Sequence, residues 1–98
     1  MLIFPLKKEW YEKIKSGEKT VEYREVKPYW TSRLYNEIGF FPEQTQIIKP
    51  IPCKLRLCYT NRYMTATITK IEIVDGKATD LHIDRTVYAI HLVNVKES

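Results

Sequence analysis

The chain has 98 residues, of which 44% are hydrophobic and 29% charged, with 16 Lys and Arg against 12 Asp and Glu for a net charge of +4. Such a length supports one domain with a single modest core, and the composition is that of a globular protein rather than a disordered one. No apolar run reaches the length a bilayer-spanning helix needs, and "MLIFPLKKEW" lacks the apolar h-region and cleavage site of a signal peptide, so the expected setting is the cytoplasm with no membrane partner.

In chain order, "LIF" reads as a short strand that Pro5 ends. "KKEWYEKIKSG" then predicts a helix, with Leu6, Trp10 and Ile14 four apart on one face and Gly17 as its stop. Thr20 to Arg24 has strand character. Strand alternation puts Thr20, Glu22 and Arg24 on one side and leaves Val21 and Tyr23 to pack into the core. "KPYWTSRLYNEIG" predicts a second helix: Pro28 suits the first helical position, Trp30, Leu34 and Ile38 share a face, and Gly39 suits the stop.

"FFPEQTQIIKPIP" carries three prolines and predicts a loop with at most an edge strand. "CKLRLCYT" is the clearest strand, with Cys53, Leu55, Leu57 and Tyr59 on one face and Lys54 and Arg56 on the other. After a turn at "TNRY" comes "MTATITKIEIV", whose apolar phase shifts between Ile68 and Ile71 and so predicts a bulge or a bend. Asp75-Gly76 signals a tight turn. "TVYAIHLVNV" is apolar on both faces, as a central strand would be. Several short strands, two short helices and a bending strand predict a mainly β (α+β) fold: a small mixed β-barrel with helices at its openings, spanning residues 1–98.

Chemistry-bearing motifs are few. The three glycines are far apart, which excludes a phosphate-cradling loop, and no CxxC, HExxH or EF-hand spacing occurs. Cys53 and Cys58 point to opposite faces if the strand continues, which favours reduced structural thiols over a disulfide or a shared metal. His91 in the last strand reads as a hydrogen-bonded core or barrel-lining residue, and His82 as a surface loop residue. No metal or cofactor is expected. From Gln44 to Ile71 there is no acidic residue, while Lys49, Lys54, Arg56, Arg62 and Lys70 fall inside, a charge pattern that suits either a polyanionic partner or a solvated face.

The remaining constellation is Lys19, Glu22 and Arg24. A fixed Arg beside a Lys suits phosphate or carboxylate recognition, and a Glu between them can accept hydrogen bonds from a base or amine. The alternative is an ion pair on a solvated strand, of little consequence. Gly17, Lys19, Glu22 and Arg24 together form G-x-K-x-x-E-x-R, and this chain resembles the ASCH domain family of PUA-like β-barrels on that motif and on the helix preceding it. "KPYW", the basic strand and "YAIHLVNV" are compatible with the same layout.

The resemblance implies a cleft lined by Lys19, Glu22 and Arg24, with Gly17 shaping the turn and RNA or a modified nucleotide as ligand. Lys54, Arg56 and Arg62 would then add the sequence-independent electrostatic attraction. Tyr29, Trp30, Tyr59 and Tyr63 would stack on bases if they stand at the cleft mouth, core packing being the other reading for each; Trp10 is expected in the core.

The resemblance also implies an alternative: a small amidohydrolase acting on acylated cytidines, with Lys19 as base or nucleophile and Glu22 as proton shuttle. The threonine of such enzymes falls where this chain has Glu22. A third possibility is a partner-binding accessory protein with an apolar patch around "IGFFPE".

Overall fold

A computed structural model describes residues 1–39, 46–47 and 49–97. Strand accounts for 48% of the described residues and helix for 25%, so the fold is mainly β: a curled half-barrel sheet with two short helices. The strands are β1 (Leu2–Leu6), β2 (Val21–Glu25), β3 (Gln46–Ile47), β4 (Ile51–Leu57), β5 (Tyr63–Asp75) and β6 (Thr86–Glu97); the helices are α1 (Lys8–Ser16) and α2 (Pro28–Ile38). Strand order is β1-β4-β5-β6-β2, with β3 alongside β5, and among the described residues β1–β4 is the one parallel pair among antiparallel ones. β1 and β2 are therefore the two edges of the curl. Among the described residues no helix is long and apolar enough to cross a membrane.

Alternation builds the core. Leu2, Phe4 and Leu6 of β1 pair with Cys53, Leu55 and Leu57 of β4, and all six are buried. Pro5 does not end β1 but sits inside it, because an edge strand tolerates a residue with no N–H to donate. Pro52 likewise lies where β4 has run past the end of β1. Tyr59 does not share the buried face of Cys53, Leu55 and Leu57; β4 stops at Leu57, and Tyr59 stands in the turn at 93% exposure. Both thiols are free. Cys53 is buried, which pushes its pKa up to about 12 and leaves it inert, while Cys58 is exposed in the turn with φ 49°.

The phase shift in β5 is a bulge. Ile68 pairs with Leu92 and Lys70 with His91, so Thr69 is the extra residue that lets both Ile68 and Ile71 face inward. A second irregularity, between Thr65–Lys96 and Thr67–Val93, puts the extra residue on β6 at Asn94, whose φ is 55°. Two bulges bend the longest pair of strands, and the sheet curls there. After β5 the chain makes no two-residue hairpin: a 3₁₀ turn at Gly76–Ala78 begins a longer connection, closed by Gly76 N–H donating to the Arg85 carbonyl.

α1 buries Tyr11 and Ile14 rather than the expected Leu6–Trp10–Ile14 stripe, since Leu6 belongs to β1 and Trp10 is half-buried. α2 starts on Pro28 as expected and buries Leu34, with Trp30 half-buried. The side chain of Ile38, and most of "IGFFPE", lie outside the described residues.

Candidate functional site

The site forms where the two sheet edges approach each other. α1 ends at Gly17, whose φ of 86° is left-handed and so suits a residue without Cβ. Past that turn the Lys19 N–H donates to the Lys13 carbonyl at 3.0 Å, which pins Lys19 against the helix end. β2 follows at once, held to β6 by pairs from Val21–His91 to Glu25–Val87.

The face of β2 that turns inward is the one carrying Glu22 and Arg24, not the one carrying Val21 and Tyr23. Glu22 pairs across from Ile90 and Arg24 from Tyr88, both buried, while Val21 and Tyr23 are half-exposed. This reverses the expectation that the aliphatic and aromatic residues of β2 enter the core. The reason lies in the register with β6: one β6 face, Tyr88, Ile90 and Leu92, already lines the core, and the β2 residues opposite it must follow.

Burying a carboxylate is costly unless it is paired, and Glu22 is paired on every side. Its side chain is 8% exposed. Arg24 Nη2 donates to Glu22 Oε2 at 2.7 Å, the Tyr23 N–H donates to Oε1 at 3.1 Å, and Lys19 Nζ lies 3.9 Å from Oε1. Burial lifts the Glu22 carboxyl above the ordinary carboxylate range, against the opposing charges of Arg24 and Lys19.

Arg24 spans the opening. Its Nη2 also donates to the Pro5 carbonyl of β1 at 2.7 Å, joining the two sheet edges through a side chain where no backbone ladder joins them. The guanidinium lies 4.9 Å from the Trp30 ring centroid and 5.6 Å from that of Phe4, whose rings stack on each other at 5.2 Å. Arg24 Nε is the one buried side-chain polar atom among the described residues with no hydrogen-bond partner.

Lys19, 9% exposed, reaches out from the same cluster. Its ammonium donates to Asp80 Oδ2, in the connection between β5 and β6, and sits 4.8 Å from the Tyr23 ring centroid and 5.3 Å from that of Trp10. A cavity of about 260 Å³ opens here, lined by Pro5, Trp10, Glu22, Tyr23, Arg24 and Asp80 among others. A second, of about 440 Å³, continues past Lys19, Thr20 and Val21. The two buried cations, Lys19 and Arg24, are thus matched by Asp80 and Glu22, while Lys7 lines the first cavity and Lys13 and Glu18 the second.

Of the residues singled out from the sequence, Gly17, Lys19, Glu22, Arg24 and Trp30 come together here. Lys54, Arg56 and Tyr63 do not: they lie on the outer face of the sheet, opposite the buried Cys53–Leu55–Leu57 row. Arg62 is elsewhere again, donating to Glu97 Oε2 at 2.8 Å. Glu97 also accepts from the Tyr11 hydroxyl at 2.8 Å and pairs with Lys15, and these partners hold its pKa down at about 2.

Asp80, Tyr23 and the Pro5 carbonyl are the site groups that reading the sequence missed. Asp80 is 61 residues from its partner, and no local pattern points to it. His91 is half-buried and lies 3.4 Å from Glu72, and His82 is an exposed loop residue, both outside the cleft. Among the described residues no group of three or more His, Cys, Asp or Glu could hold a metal ion. No family model, curated protein or solved structure matches the chain.

Proposed function

We propose that the cleft between β1 and β2 receives a nucleobase, and that the protein binds RNA or a modified nucleotide as the ASCH resemblance implies. The observation that carries this reading is the buried, partnered Glu22 lining an aromatic-walled cavity whose buried cations are already paired. A free phosphate would favour unpaired cations held within the cavity, whereas the buried Lys19 and Arg24 are already matched by Asp80 and Glu22 and Lys7 stands exposed at its edge. A polar heterocycle fits better. Its amino groups would donate to Glu22 or Asp80, its carbonyl would accept from Lys19 or Arg24, and Trp10 and Tyr23 offer ring faces for stacking. Calorimetric titration with a panel of nucleosides and acylated cytidines tests this. One or more should bind, and Glu22→Gln should weaken that binding at least tenfold; a panel that gives no heat with the native protein defeats the reading.

One further observation favours the amidohydrolase alternative. Lys19 sits between two carboxylates, Asp80 and Glu22, and Thr20 lines the adjoining cavity. Water adding to an acylated exocyclic amine would break the C–N bond, release the amine with one proton and leave a carboxylic acid. Chromatographic detection of acid and amine, abolished by Lys19→Ala, would establish turnover over simple binding.

A further inference from the structure

The outer face of the sheet has a composition unlike the cleft. Register places Lys54 of β4 directly across from Thr65 of β5, and Thr65 across from Lys96 of β6, so the three share one outward row. The adjacent row carries Arg56 across from Tyr63. Arg56, Thr65 and Lys96 are exposed, and the Lys54 ammonium rests 4.6 Å from the Tyr63 ring centroid. Strands lie about 4.8 Å apart, so Lys54 and Lys96 flank Thr65 at a separation of roughly 10 Å.

Among the described residues, none of Lys54, Arg56 and Lys96 forms an ion pair, whereas Lys19, Arg24, Arg62 and Lys70 all do. No carboxylate stands in these two rows; on the outward side of β5, Glu72 lies further along the strand and is paired with Lys70. Tyr59 stands in the turn joining the two strands that carry Lys54, Arg56 and Tyr63.

We infer that this outer face of β4, β5 and β6 is a docking surface for single-stranded nucleic acid, with Lys54, Arg56 and Lys96 contacting successive phosphates. Complementary charge is the argument for the occupant. A polyanion regains counterion entropy by meeting unneutralised cations, which an acidic protein patch or a neutral surface does not reproduce. An exposed tyrosine in the turn between the two strands favours an unpaired strand, whose bases can stack on it, over a duplex whose bases are already stacked. This surface is separate from the cleft and stands whether or not the cleft takes a base.

The test is fluorescence anisotropy with a labelled oligouridine, a duplex of equal length, and phosphatidylserine vesicles. Three phosphate contacts predict a slope of about −2 for log K against log salt, or about 20-fold weaker binding between roughly 50 and 200 mM. The triple variant Lys54→Gln, Arg56→Gln, Lys96→Gln should flatten that slope and weaken binding roughly tenfold at the lower salt. Tyr59→Ala should weaken oligouridine binding about fivefold while the slope stays. Oligouridine binding without nucleoside binding would uphold this surface while defeating the cleft reading. Four results overturn it: no oligouridine binding, a slope unchanged in the triple variant, a duplex bound as tightly as the single strand, or vesicles bound in place of RNA. All three substituted side chains point outward, and an unchanged circular-dichroism melt confirms that the variant folds.

Discussion

Lys19 and Arg24 at the cleft carry the same charges as Lys54, Arg56 and Lys96 on the outer face, in opposite surroundings. The cleft pair is largely buried, each cation is hydrogen-bonded to a carboxylate, and Arg24 also ties β2 to β1. The outer trio, with Arg56 and Lys96 exposed and Lys54 half-buried over Tyr63, has no carboxylate partner among the described residues. A charge in the first setting is part of how the molecule holds together, because removing it strands its partner away from water. A charge in the second contributes almost nothing to folding and is available to a ligand. Formal charge alone does not separate the two roles; burial and pairing do.

That contrast is broken most directly at Arg24. Arg24→Met should cost about 3 kcal/mol, leaving Glu22 buried without its strongest partner and the β1–β2 opening without its link, as urea denaturation would measure. Adding Glu22→Gln to it should recover part of the loss, and full additivity of the two would mean that they do not act as a pair. Lys19→Met comes next, at about 1 to 2 kcal/mol, because Asp80 is exposed enough to be rehydrated once its partner is gone.

The pH dependence of stability sharpens the comparison, with opposite signs for two carboxylates. Glu22 has a folded pKa raised above the ordinary 4.5, so its contribution is full below that value and is lost as pH rises through the folded pKa. Glu97 has a folded pKa lowered to about 2, so its contribution is full above 4.5 and is lost as pH falls toward 2. Glu22→Gln should therefore remove a decline on the side above pH 4.5. Glu97→Gln should flatten the acid limb below it, a smaller effect because Glu97 is solvent-screened. The smallest change in stability belongs to the triple glutamine variant of the outer face, at under about 0.5 kcal/mol by thermal melting. A larger loss there would mean that these cations support the fold, against the distinction drawn above.

Much of the fold is legible in short-range pattern. Gly17 and Gly39 end their helices with φ of 86° and 72°, Pro28 begins α2, and the Ile68–Ile71 phase shift is a bulge, each a consequence of local steric or periodic rules. β6 is apolar on both faces and lies between two strands, as its residues require. The cleft was only partly legible. The spacing of Lys19, Glu22 and Arg24 marks them as neighbours, but their strand could turn either face inward, and hydrophobicity pointed to Val21 and Tyr23. Trp10, expected in the core for the same reason, packs against it half-buried and also lines the cavity.

What the sequence determined by itself, then, is where elements start and stop, which residues of β2 sit side by side, and where the chain's basic stretch lies. Tertiary structure decided which face of β2 enters the core, that Asp80 from 61 residues away completes the ion pair of Lys19, and that Lys54 and Lys96 belong to one row while Arg62 does not. Local rules act through backbone sterics within a few residues, whereas facing and pairing across the sheet are set by strand register. Register is a property of two distant segments at once, and neither segment carries it alone.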